Sequence, residues 1–530
     1  MIETPMSLGG MVTAPHHLAA AAGRDVLRLG GTAIEAAVAT AAALSAVYPH
    51  MTGIGGDGFW LISDGTGAPP KALHATGAAG ERATDAYYAE RQLSAVPWRG
   101  PAAACTVPGT VAGWDAALAH SAGWQDPLPL EQILAAAIHH AETGIAVTRS
   151  QSWLTGARLD ELAPVPGFAD VYLPGGQPPE VGQLLRQPAL AATLRRLARN
   201  GLRDFYEGET AAMLASDLAA ADSPVTARDL ARHRAEWLEP LALRLPRTGA
   251  TVWNTRPPTQ GLASLLILGI AEQLDLGEEG SFAHLHGLVE ATKRAFRLRD
   301  VHVADRGTVA RPDPLLEPAA LSAEAAAIDP ARAAPWPHPA QPGDTVWLGV
   351  TDAQGRSASF IQSLYYEFGS GLVSPQTGVL MQNRGAAFQL SGSWNRLAPG
   401  RQPFTTLNPA MALFDDGRRL TYGTMGGEGQ PQTQAAVFTR IARFGLPPQK
   451  AVSAPRWLLG KTWGQGTMTL KVEDRVDAAT IQALRAAGHD LEVTGPYEDF
   501  MGHAGAILRH PDGLLMGATD PRSDGAVAAL

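Results

Sequence analysis

A single cysteine, Cys105, supplies all the thiol chemistry in this chain of 530 residues. A lone thiol excludes an intrachain disulfide and any cysteine-built zinc or iron–sulfur site, and such usage implies no oxidising compartment. Positive charge is also short: 42 Lys and Arg stand against 51 Asp and Glu, a formal net charge of −9. That balance leaves no basic footprint for nucleic acid. The first residues show no basic stretch followed by an apolar run, so no signal peptide is visible. The apolar run Ala33–Val47 carries Glu35 and is too short for a membrane span of about 20 residues. The expectation is a cytoplasmic protein with neither membrane nor nucleic-acid partners.

Familiar active-site motifs are equally scarce. Gly-x-Ser-x-Gly does not occur, which removes the usual nucleophile elbow of α/β-hydrolases. Gly460-Lys461-Thr462 resembles the end of a phosphate-binding loop, but Pro455 stands where that loop needs glycine. The glycine cluster Gly53 to Gly58 follows a helical pattern and precedes a strand, the reverse of a dinucleotide fingerprint. His139, His140, His284 and His286 lack a matching carboxylate spacing and read as solvent-facing or capping helix histidines. No cofactor and no metal is expected.

What remains is an ordinary core-forming composition, 45% hydrophobic and 18% charged, punctuated by 57 glycines and 40 prolines. Helical periodicity marks His16 to Leu29, ending at Gly30-Gly31, the buried run Ile34 to Val47, Gln132 to Glu142, and Ala283 to Arg297 with Ser281 as N-cap. From about Arg306 to Asp344 the chain turns rich in Pro and Ala and reads as a short helix followed by an exposed loop. Beyond it the pattern is β. Thr345 to Thr351 and Ser357 to Leu364 form a hairpin around Asp352 to Gly355, and a second hairpin spans Ala506 to Met516. Helices framing strands at both ends of the chain predict a layered α/β sandwich. Gly426-Gly427 follows a strand, and consecutive glycine amides there can face an oxyanion.

Six pieces, in order, carry a resemblance over nearly the whole chain. They are Gly30 to Val38, Gly53 to Phe59, Val107 to Gly113, Phe368 to Gly371, Gly426-Gly427, and Asp520 to Gly525. Together they resemble the γ-glutamyltransferase family of N-terminal nucleophile hydrolases. The resemblance implies a four-layer αββα sandwich made as a proenzyme that cuts itself before a threonine. Aligned on the hairpin, the cut falls between Asp344 and Thr345, giving a large subunit 1–344 and a small subunit 345–530 that stay together as a heterodimer, with a higher oligomer left open. Residues 306–344 then become the processing loop, and the two pieces form one interleaved domain. The freed α-amine of Thr345 would serve as base for its own hydroxyl.

Other positions follow from the same resemblance. Ser363 matches the hydroxyl that bonds the nucleophile, Gly426 and Gly427 the oxyanion amides, and Thr405-Thr406 the hydroxyl pair that holds a substrate carboxylate. The departures matter as much. Val346-Trp347 replaces the usual Thr-His, Thr76 stands where the family clamps its substrate carboxylate with arginine, and Tyr365, Arg384 and Ala387 replace the ligands of the glutamyl amino group. An ammonium pocket would not contain Arg384. Arg384, with Tyr365 and Trp347 narrowing the pocket, implies a small anionic amide as substrate. The segments around Thr345, Arg384 and Gly426 resemble the oxamate amidohydrolase branch, which acts in purine-nitrogen catabolism. γ-Glutamyl transfer or glutathione hydrolysis, acylase action on a larger amide, and an unprocessed scaffold are the alternatives.

Overall fold

The structure is a computed structural model that describes residues 3–307, 309–336, 344–462 and 467–530, with Asp344 represented by its backbone. The part of the expected processing loop from 337 to 343 lies outside the described residues. Two seven-stranded sheets face one another. One runs in the order Ala526–Ala529, Gly10–Ala14, Asp344–Asp352, Ser357–Tyr365, Asp57–Ser63, Lys71–Ala75, Glu236–Leu238. The other runs Met6–Ser7, Leu515–Thr519, Ala504–Arg509, Arg419–Thr424, Ala410–Phe414, Ala250–Asn254, Leu241–Leu245. Every pairing within both sheets is antiparallel.

Helices cover each outer face, which completes the four-layer αββα sandwich. On the first sheet lies Ala33–Val47, buried along its whole length. Glu35 is tolerated there because it closes a capping box with Thr32 and also accepts the Leu128 amide at 2.7 Å. The helix His17–Arg28 packs beside it and ends where Gly30 takes a φ of +87° and the Gly31 amide bonds back to Val26. The second sheet is covered by Gly261–Ala271, Phe282–His302 and Gly429–Ala442. Ser281 caps the second of these, accepting the His284 amide as its sequence position predicts. Among the described residues no helix is long and apolar enough to cross a membrane.

The histidine expectation needs correction in part. His139 is exposed, but His284 and His286 are buried. His284 accepts the Gly280 amide through Nδ1, and its Nε2 lies 3.2 Å from Thr439 Oγ1. His286 lies 2.9 Å from His489 and 2.8 Å from the Asp329 carbonyl. His286, His489 and Glu290 form a tight group, but the carboxylate is already held by Lys293 at 2.6 Å.

Candidate active site

Four neighbouring strands of the first sheet end together, and each delivers one polar group to that edge. Asp344 is paired with Tyr365, Ser363 with Asp57, and Gly58 with Ala75, which places Thr76 just beyond Asp57. The ladder is irregular at Thr345: Asp344 pairs with Tyr365 but Val346 pairs with Gln362, so Ser363 and Leu364 both oppose Thr345. Such a bulge re-aims a side chain and breaks regular pairing where it occurs. Ser363 uses its Oγ to accept the Tyr365 amide at 2.7 Å, which supports the uncommon φ of +84° at Tyr365. Thr345, Ser363 and Tyr365 are all fully buried.

Asp57 reaches this edge because the glycines around it allow backbone to pack on backbone. A Cβ at Gly56 would lie 2.2 Å from the Ser363 carbonyl, and one at Gly77 only 1.5 Å from the Val107 carbonyl. Three of the sequence motifs therefore interlock around one carboxylate. Asp57 accepts the Gly77 amide (2.9 Å), the Gln382 side chain (3.1 Å) and the Thr76 hydroxyl (3.2 Å). Arg384 Nε lies 3.7 Å from it, with both side chains wholly buried. Burial pushes the Asp57 carboxyl up to about 6, against the opposing pull of Arg384 and these hydrogen bonds. The same burial lowers Arg384 to about 10, so it keeps its charge at neutral pH.

Arg384 is the unusual group. Its guanidinium carbon sits 4.3 Å from the centre of the Tyr365 ring, which also stacks with Trp98 at 5.8 Å. Among the described residues none of its three nitrogens has a hydrogen-bond partner, and the Tyr365 hydroxyl, also buried, has none either. Unpaired donors at this depth carry a large desolvation cost and call for an acceptor. Cys105 lies directly beneath the turn that carries the arginine: a Cβ at Gly385 would lie 1.9 Å from its sulfur. Burial raises that thiol to about 11, so it is a protonated packing group, as its isolation in the sequence suggests.

The second sheet supplies the other wall. Gly426, with φ +115°, and Gly427, with φ +51°, link the strand Arg419–Thr424 to the helix Gly429–Ala442. Neither of their amides donates to a described acceptor. Gln260 holds the turn, its Nε2 donating to the Gly427 carbonyl at 2.8 Å and to the Thr406 carbonyl at 2.9 Å. Arg299 from the helix Phe282–His302 donates to Gln260 at 3.2 Å and to Glu428 at 2.8 Å. The Thr406 hydroxyl is buried without a partner, whereas Thr405 Oγ1 accepts a long 3.4 Å bond from the Leu407 amide. Gln430, in the first turn of the helix after the glycines, donates to Thr345 Oγ1 at 3.4 Å.

One expected contact changes role. Trp347 is no pocket wall: its indole N–H donates to Ser359 at 2.9 Å, and its ring fills the space between the sheets against Phe59, Ile361 and Leu407. The position of Thr76 also gains meaning. Where an arginine was expected there is a hydroxyl on Asp57, and Arg384 brings a cation to the same carboxylate from another part of the chain. Asp57, Gln430, Gln260 and Arg299 had not been singled out in the sequence. Asp57 and Gln430 lie inside or beside the glycine motifs, so adjacency was their signal. Arg299 had none, since 129 residues separate it from Glu428.

Comparison with known proteins agrees with this geometry. The family model for gamma-glutamyltranspeptidase matches residues 19–530. The oxamate amidohydrolase proenzyme of Klebsiella pneumoniae subsp. pneumoniae is 53% identical, with all of both chains covered. The glutathione hydrolase-like YwrD proenzyme of Bacillus subtilis is 40% identical, with 98% of each chain covered. The crystal structure of cephalosporin acylase from Bacillus halodurans superposes with a TM-score of 0.90 at 33% identity, covering 100% of this chain and 97% of that one. On its sequence and on its paired-sheet fold alike, the chain belongs to the gamma-glutamyltranspeptidase family.

Proposed function

We propose that the chain is the precursor of an amidohydrolase that divides itself between Asp344 and Thr345 and then releases ammonia from oxamate. The observation that carries the substrate is Arg384, a buried guanidinium with no hydrogen bond among the described residues, lying over Tyr365, the residue paired with Asp344. A carboxylate of two-atom reach from a carbonyl satisfies those donors with a charge-assisted, bidentate contact. The Tyr365 hydroxyl offers a further donor. The 53% identical relative named as an oxamate amidohydrolase proenzyme supports the same reading.

The chemistry balances with groups already in place. The free α-amine of Thr345 takes the hydroxyl proton, and Oγ1 attacks the amide carbonyl of oxamate. The carbon–nitrogen bond breaks, the nitrogen takes that proton and leaves as ammonia, and an oxalyl ester remains on Thr345. Water then attacks the ester, its proton returns to Oγ1, and oxalate leaves. The amides of Gly426 and Gly427 meet the oxyanion formed in each step. In the precursor the same hydroxyl attacks the Asp344 carbonyl; the Asp344–Thr345 carbon–nitrogen bond breaks as the nitrogen takes the proton, and water hydrolyses the resulting ester to leave the Asp344 carboxylate and the free hydroxyl and α-amine of Thr345.

A second reading has one observation in its favour. A cavity of about 590 Å³ is bordered by Gln402 and by Thr76, whose hydroxyl bonds Asp57, and it suits a larger amide of the acylase kind. The two readings separate in one experiment. Purified protein is run on a denaturing gel, the smaller fragment's N-terminus is read, and oxamate, glutathione and a cephalosporin amide are supplied in parallel. A fragment beginning at Thr345 with ammonia release from oxamate supports the proposal. Hydrolysis of only the larger amides, with none of oxamate at any concentration, refutes it.

A further inference from the structure

Behind Thr345 lies a buried chain of amide side chains that the reaction as written does not use. Gln430, Asn408, Asn254 and Gln434 are each at most 1% exposed and come from three segments, Gln430 and Gln434 sharing the helix Gly429–Ala442. Their orientations are fixed from one end. The Thr406 carbonyl can only accept, so Asn408 Nδ2, 2.8 Å away, must face it. The same Nδ2 donates to Gln430 Oε1 at 3.1 Å, while Asn408 Oδ1 accepts from Ser264 at 2.8 Å. With its Oε1 engaged there, Gln430 can present only Nε2 to Thr345 Oγ1. An amide free to rotate would have no such preference.

We infer that Gln430 is a further catalytic residue: its Nε2–H donates to Thr345 Oγ1 and stabilises the negative charge that gathers there, with Asn408 as the positioning residue that fixes its orientation. The inference rests on the reading of Thr345 as nucleophile. A donor on Oγ1 leaves the hydroxyl's own proton to point toward a base. It also gains strength as the oxygen becomes alkoxide-like, which is the condition for lowering a barrier rather than a ground state. The bond is long at 3.4 Å, and on this inference it tightens when the oxygen acquires charge. The Thr406 carbonyl that anchors Asn408 is also held by Gln260, which holds Gly427 as well. Nucleophile and oxyanion turn are thereby set by one network.

The test uses the full chain, its self-cleavage followed by mass and its amidase activity by ammonia release. Gln430→Met keeps the volume and removes the donor. It is expected to cleave slowly but to completion, then to show kcat lower by about 10- to 100-fold with KM within about threefold. Gln430→Glu gives a signature that packing alone does not. Its kcat relative to wild type at the same pH is highest at low pH, where the carboxyl is protonated and donates, and falls as the carboxylate forms beside Oγ1. Wild-type kcat in Gln430→Met, or a loss confined to KM, overturns the inference. If the Met variant does not fold, a Gln430→Glu pH profile parallel to wild type overturns it equally. Wild type and Thr345→Ala are run alongside: an active Thr345→Ala protein means that the nucleophile reading, not the role of Gln430, has failed.

Discussion

A buried Arg384 that makes no hydrogen bond is costly unless something compensates it, and in this chain Asp57 does so only in part, at 3.7 Å from Nε. The carboxylate neutralises the cation without occupying the outer fork of the guanidinium, which leaves that fork for a ligand. This arrangement has a pH consequence. Asp57 holds its proton up to about 6, and an anion bound at Arg384 raises that value further, so binding takes up a proton in this range. Affinity for an anionic amide therefore falls as pH rises through about 6. Asp57→Asn is expected to flatten the pH dependence of KM between pH 5 and 7. At pH 7 it is expected to lower KM by on the order of tenfold, equivalent to roughly 1.4 kcal/mol. A variant whose KM retains the wild-type slope contradicts this role for Asp57. A second pH effect follows from the proposed base: kcat is expected to rise as the Thr345 α-amine, ordinarily near 7.7–8.0, loses its proton.

At the scale of elements, the strand that carries Thr345 is located by what lies beneath it. Trp347 fits between the sheets only because Gly423 and Gly505 on the facing strands carry no side chain; a Cβ there would lie 2.3 and 2.4 Å from the indole. Gly505→Ala is expected to destabilise the protein by about 1–3 kcal/mol, read by urea or thermal unfolding, and to slow self-cleavage by displacing Thr345. Unchanged stability would show that the indole is not held as described. The same residue shows where sequence reading stops. Period-two alternation places Thr345 and Trp347 on one face of the strand, so both seem to belong to the pocket. Only the facing glycines, about 75 and 160 positions downstream, show that the second is core. Elements set by local signals were legible in advance: the hairpin around Asp352 to Gly355, the helix capped by Ser281, and the Gly30 terminus. Gln260 and Arg299 were not, because their partners meet them only once the second sheet and its helices have packed.

At the scale of the whole molecule, the two expected pieces are woven through both sheets. The hairpin 344–365 lies between Gly10–Ala14 and Asp57–Ser63, and Ala410–Phe414 pairs with Ala250–Asn254. A cut at Asp344–Thr345 therefore leaves a continuous set of ladders joining the fragments. The processed protein is expected to elute as one species of 55.6 kDa or a multiple, and to separate into two only in denaturant. Elution of a free fragment from native buffer would contradict this interlocking. The proposed activity depends on Arg384 reading a carboxylate beside Thr345, and the most direct test is the ratio of kcat/KM for oxamate to that for its neutral diamide, oxamide. The processed wild type is expected to prefer oxamate by about 100-fold or more, a difference of roughly 2.7 kcal/mol suited to a charge-assisted pair, and Arg384→Gln to abolish the preference. Equal rates on the two amides in wild type, or a preference that survives in Arg384→Gln, would contradict it.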